Sequence, residues 1–150
     1  MASRVLALVT ALILLTPLVI ASRLTPDPRG LGTHEQLGGL TQCPFLVSTG
    51  HPCATCGMTT AFAHAAHGNL RASFLAQPFG LLLALACASG FWIALHVFVT
   101  GSRAQSVASP LTRPRVIWTL AGLMLLAWGY KVVSTPTPHE HDERTESWHP

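Results

Sequence analysis

Three long apolar runs decide what this chain can fold into. Residues 5–22, 79–99 and 116–133 contain no Asp, Glu, Lys or Arg apart from Lys131. A helix crosses the hydrocarbon core of a bilayer with about 20 apolar residues, and roughly 17 suffice. Each run meets that requirement, and only helices or closed barrels can satisfy their backbone in lipid. Charged residues make up 10% of the chain, against roughly 25% in a soluble protein, so too few remain to solvate a globular surface. The formal net charge of +3 comes from scattered arginines and Lys131. No basic patch is interleaved with aromatics, which argues against a nucleic-acid partner.

The expected fold class is therefore all-α and integral to a membrane, with three transmembrane helices. The first, Val5–Ser22, reads as an uncleaved anchor covering residues 1–22. A signal peptide is the competing reading, because Val19-Ile20-Ala21 resembles a cleavage site, but its apolar core exceeds the usual 7–15 residues. The second span, Phe79–Val99, follows Pro78, which suits a first helical position. Val116–Val133, the third, carries Trp118, Trp128 and Tyr130 near its ends, where interfacial aromatics belong. Arg4 precedes the first span, and Arg103, Arg113 and Arg115 crowd the loop 100–115 between the other two. The positive-inside rule puts both regions on the cytoplasmic side. Residues 23–78 and the tail 134–150 then face outward from a multi-pass protein of the cell membrane.

That outward segment holds the chemistry. From Leu24 to Gln42 the chain is rich in Pro and Gly and reads as a loop with turns. Cys43–Gly57, CPFLVSTGHPCATCG, then places three cysteines among prolines and glycines, a compact turn-rich thiol site. Beyond it Met58, Ala61, Phe62, Ala65 and Ala66 recur at helical spacing, predicting a helix over Met58–His67. Thr60, His64, His67 and Arg71 fall on its opposite, wet side. Gly68 ends that helix, and Asn69 caps a second one over Leu70–Gln77. These pieces are too short to span and are expected to be interfacial or re-entrant.

The string CPFLVSTGHPCATCGMTTAF, followed by Gly68-Asn69 and Gln77-Pro78, resembles the bacterial domain-of-unknown-function 2752 family of small membrane proteins. The likeness covers roughly residues 40 to 100 and implies a membrane location and a cysteine site, but no reaction. Ala54 stands where that family usually has proline, and Thr60 where it usually has arginine.

Several uses of the thiols remain open from the residues. Two of Cys43, Cys53 and Cys56 form a disulfide staple, the ordinary fate of external cysteines, which contributes on the order of 3 kcal/mol. Alternatively Cys53-x-x-Cys56 is half a metal site, with Cys43 or a histidine, His51, His64 or His67, completing it. Three sulfurs favour zinc or copper(I) over harder cations. In a third reading Cys53 and Cys56 are the pair of a membrane thiol–disulfide oxidoreductase, with Cys56 acidified near a helix start. A thioredoxin-like fold is excluded, because no βαβ pattern surrounds the motif. No other catalytic set can be placed. Cys87 reads as a packing residue within the second span, and His96 lies near that span's cytoplasmic end. Ala84, Ala86, Ala88 and Ser89-Gly90 offer a small-residue face for helix packing. The tail from His139 has three histidines and four acids that can scavenge a metal, yet almost nothing apolar to bury, and reads as disordered. Besides the lipid bilayer, a membrane-protein partner or a second copy is expected, since three helices bury little alone.

Overall fold

The computed structural model describes residues 2–28, 30–38, 43–49, 51–101 and 114–134. Arg29, the loop with Arg103 and Arg113, and the tail from His139 lie outside the described residues. Within them the protein is helical: α1 (Ala2–Arg23), a 3₁₀ turn (Thr33–Leu37), α2 (Pro44–Thr49), α3 (Met58–Ala66), α4 (Leu70–Ala76), α5 (Pro78–Thr100) and α6 (Pro114–Ser134). Three of these, α1, α5 and α6, are long and apolar enough to cross a membrane. Only 17%, 17% and 11% of their apolar windows is buried within the protein, so most of that apolar surface faces outward, as a lipid environment requires.

The main helix pair is α1 with α5. It is antiparallel: Ala21 near the end of α1 clusters with Ala84 and Cys87 near the start of α5, while the Arg4 guanidinium packs against Gly101 at the other end. The seam is built from small side chains, Ala7, Ala11 and Ala21 on α1 against Ala84, Cys87 and Ala94 on α5. Such residues let backbones approach closely. Ala86 and Ser89, expected on this face, are exposed instead. Cys87 is buried in the core, consistent with a packing role.

Across the end of this pair lies α3, whose Phe62 enters the Ala21–Ala84–Cys87 cluster. The short helix α4 packs against α3 and α5. At Gly80 a Cβ would stand 2.8 Å from the Cβ of Ala61, so that crossing leaves no room for a side chain. Asn69 caps α4 as expected, its Oδ1 accepting from the Ala72 N–H at 3.0 Å. Two elements went unpredicted: the helix Pro44–Thr49 and the 3₁₀ turn Thr33–Leu37, both within stretches read as turns. Each is too short to show an apolar period.

α6 makes few contacts with α5 and is fastened to the rest near its C-terminal end. Trp128 Nε1 donates to the Pro52 carbonyl at 2.9 Å. Lys131 Nζ donates to the carbonyls of Ala76 at 2.9 Å and Gly30 at 3.3 Å. The C-terminal ends of α1 and α6, the start of α5 and the thiol segment therefore share one end of the bundle.

Candidate thiol centre

Each thiol is positioned by local backbone geometry. Pro44 opens α2 and leaves Cys43 just before it. Cys53–Cys56 is a tight turn closed by the Cys56 N–H to the Cys53 carbonyl at 3.0 Å, and the Met58 N–H then bonds the Thr55 carbonyl at 3.1 Å. Gly57, at φ +86°, carries the chain from this turn into α3, in the left-handed region that glycine adopts cheaply.

The turn is half-buried, and its carbonyls need donors that its own sequence lacks. They come from elsewhere. Gln77 is 0% exposed; its Nε2 donates to the Ala54 carbonyl at 3.2 Å, and its Oε1 accepts the Gly80 N–H, capping α5. Trp128 holds the Pro52 carbonyl. Among the described residues no buried side-chain nitrogen or oxygen lacks a hydrogen-bond partner.

As a result the sulfurs of Cys43, Cys53 and Cys56 all lie within 4.8 Å of one another. Cys53 and Cys56 are closest, Sγ to Sγ at 3.0 Å, and Cys53 also bonds the Thr55 hydroxyl at 3.3 Å. All four cysteines of the chain are free thiols, Cys56 and Cys87 buried and the other two half-buried. Cys87 does not join the cluster, although it lines the same cavity deeper in the bundle. That cavity, about 670 Å³, runs from the three thiols past Met58 and Phe62 toward Leu83 and Cys87, with His34 at its wall.

The thiols are electrostatically unequal. Burial opposes ionisation of Cys53, but hydrogen bonds from Cys56, Thr55 and Cys43 outweigh it and bring the thiol down from 9.0 to about 7. Burial, then hydrogen bonding to Cys53 and Cys43, pushes Cys56 up to about 12. An acid whose pKa is depressed ionises earlier as pH rises. In reduced, metal-free protein, alkylation of Cys53 should therefore reach half its limiting rate near pH 7, with Cys56 unreactive until far higher pH. A Cys53 profile centred near 9 would refute the asymmetry.

The histidines expected to assist are elsewhere. His67 Nδ1 lies 2.7 Å from the Ala63 carbonyl on the exposed side of α3. His64 is on the same helix, its pKa lowered by burial and by the charge of His67. His51 turns to the Thr49 carbonyl at 2.8 Å. None belongs to the thiol group. Thr60 corrects the expected wet face of α3: it is 1% exposed, and its hydroxyl pairs with that of Thr33 at 2.8 Å. That contact docks the 3₁₀ turn onto α3. Sequence reasoning also missed His34, Gln77 and Lys131 as parts of the site. Lys131 carried a usable signal, as a lone ionisable residue within an apolar span.

Comparison with known proteins agrees with the resemblance seen in the motif. The profile of a family described as a protein of unknown function, DUF2752, matches residues 43–91, which contain all three clustered cysteines. No curated protein and no solved structure matches the chain.

Proposed function

We propose that this chain is a multi-pass membrane protein whose Cys43, Cys53 and Cys56 bind one soft or borderline metal ion, zinc or copper(I). The observation that carries this reading is the convergence of three sulfurs from two segments within 4.8 Å. A disulfide needs two sulfurs, so a staple alone leaves the third unexplained. Thiolates select zinc and copper(I) over harder cations. On a tetrahedral zinc with Zn–S of about 2.3 Å, sulfurs stand roughly 3.8 Å apart. Cys53 and Cys56, at 3.0 Å, would separate by about 0.8 Å on binding, a side-chain adjustment.

The site is proposed to face outward from the cell membrane. Arg4 and Arg115 are at the end of the bundle away from the thiols, and the positive-inside rule assigns that end to the cytoplasm. Exposed apolar residues on α6, among them Leu125 and Leu126, are covered by lipid and by a membrane-protein partner or second copy in this reading.

Metal analysis of the full-length protein, purified reduced in mild detergent, tests the assignment. Near-stoichiometric zinc or copper is expected, falling to a small fraction in Cys43→Ser, Cys53→Ser and Cys56→Ser. A second reading is favoured by the 3.0 Å approach of Cys53 and Cys56 and by their unequal acidity. They form the pair of a thiol–disulfide oxidoreductase, in which the Cys53 thiolate attacks a partner disulfide and Cys56 resolves the mixed disulfide. Protein that holds no metal, yet cycles Cys53 and Cys56 between dithiol and disulfide, would put this second reading first.

A further inference from the structure

We propose that His34 is the fourth ligand of the thiol centre, making it a Cys₃His zinc site. This rests on the metal reading above and adds the residue that selects the ion. Two cavities meet at the thiols: the 670 Å³ one described above, and a second of about 130 Å³ lined by Leu31, Glu35 and Leu46. His34, Cys43, Cys56 and Gly57 line both, so these four residues surround the neck between them. The imidazole is half-buried there. Its ring nitrogens are outside the set of ligand atoms that lie within 4.8 Å of one another, so coordination requires the side chain to turn toward Cys43 and Cys56, whose thiols line the same two cavities.

The backbone beneath it is held in place. Thr33, next in the chain, is 0% exposed; its hydroxyl accepts the Asp27 N–H at 3.0 Å and pairs with Thr60 at 2.8 Å. The 3₁₀ turn that carries His34 is thus bolted to α3, the helix that begins directly after Cys56-Gly57. The fold brings His34 to the thiols across a gap in sequence that no spacing rule spans. Three thiolates and a neutral imidazole are a standard structural zinc donor set. They complete a tetrahedron, whereas copper(I) is content with sulfur alone. Such a zinc centre carries one net negative charge. Lys131 Nζ lies beside Gly57, 3.4 Å from where its Cβ would be, and supplies a compensating positive charge. Glu35 also borders the smaller cavity, but it is exposed and a harder donor.

X-ray absorption at the zinc edge, on full-length protein loaded with zinc alone in detergent, tests the assignment. Wild type is expected to show three sulfurs and one nitrogen, with outer-shell scattering from an imidazole. His34→Ala should lose that scattering and bind zinc more weakly by at least about 10–100-fold, the cost of losing even an outer-shell partner of a ligand. Glu35→Gln should match wild type. Should the alanine variant fold poorly, His34→Cys keeps a ligand and is expected to give a four-sulfur site. Imidazole scattering that persists in His34→Ala, or a wild-type site of three sulfurs with none, would overturn the role of His34 while leaving the thiol site standing. Wild type that takes up no stoichiometric zinc would overturn the metal reading itself, and this inference with it.

Discussion

Gly57→Ala should lower the thermal stability of the protein by about 2–5 kcal/mol and disperse the thiol cluster. Two costs combine. The residue sits at φ +86°, where a side chain costs roughly 1–2 kcal/mol. Its Cβ would also stand 2.8 Å from the Gly30 carbonyl oxygen and 3.0 Å from that of Ala76. Both obstacles are backbone, and Lys131 holds both carbonyls, so neither can swing aside as a flexible side chain would. Overpacking of this kind costs about 1–3 kcal/mol. Gly68→Ala is the control. Gly68, at the end of α3, has φ +77° but nothing within 4 Å of its would-be Cβ, so it carries the conformational cost alone. Thermal unfolding in one detergent should rank wild type above Gly68→Ala and Gly68→Ala above Gly57→Ala. Equal losses in the two variants would mean that the clash is relieved cheaply and the packing around Gly57 is loose.

Lys131→Met should be the next most damaging substitution, costing about 2–4 kcal/mol, because it withdraws donors from buried carbonyls. Methionine matches the length and flexibility of the lysine stem, so packing is largely preserved and the change isolates the amine. Lys131 is 5% exposed and donates to the Gly30 and Ala76 carbonyls. Leaving a buried acceptor without its donor costs about 1–3 kcal/mol. The consequence is architectural as well. α6 touches α5 little, and Trp128 and Lys131 hydrogen-bond it to the thiol end. With the amine gone, α6 should loosen from the Cys53–Gly57 turn, seen as a lower melting temperature and faster proteolysis between α5 and α6. A variant that melts and digests like wild type would show that Lys131 does not fasten α6.

Much of the architecture was legible because lipid allows the backbone so few options. An apolar run long enough to cross must bond its own N–H and C=O groups, which makes it a helix whatever its neighbours do. Hence the runs 79–99 and 116–133 lie within the helices Pro78–Thr100 and Pro114–Ser134. The periodic apolar positions of Met58–Ala66 and the Asn69 cap were equally local signals. α2 and the 3₁₀ turn were not, because elements of six and five residues carry no period to read.

Local patterns thus sufficed for the three long apolar helices, for α3 and α4, and for the identity of the three thiols, since each follows from side chains within a turn or two of one another. What stands around those thiols follows instead from contacts between residues far apart in the chain. Thr60 looked solvent-facing because helical spacing reports a face but not what is docked on it, and Thr33 is docked there. His64 and His67 looked available because they are near in sequence, while His34 lines a cavity with Cys43 and Cys56 through a fold-back that spacing cannot reveal. Gln77, Trp128 and Lys131 matter because buried carbonyls of the thiol segment and its neighbours require donors. Which donors arrive depends on where α5 and α6 begin and end in space, and that is set by packing between helices.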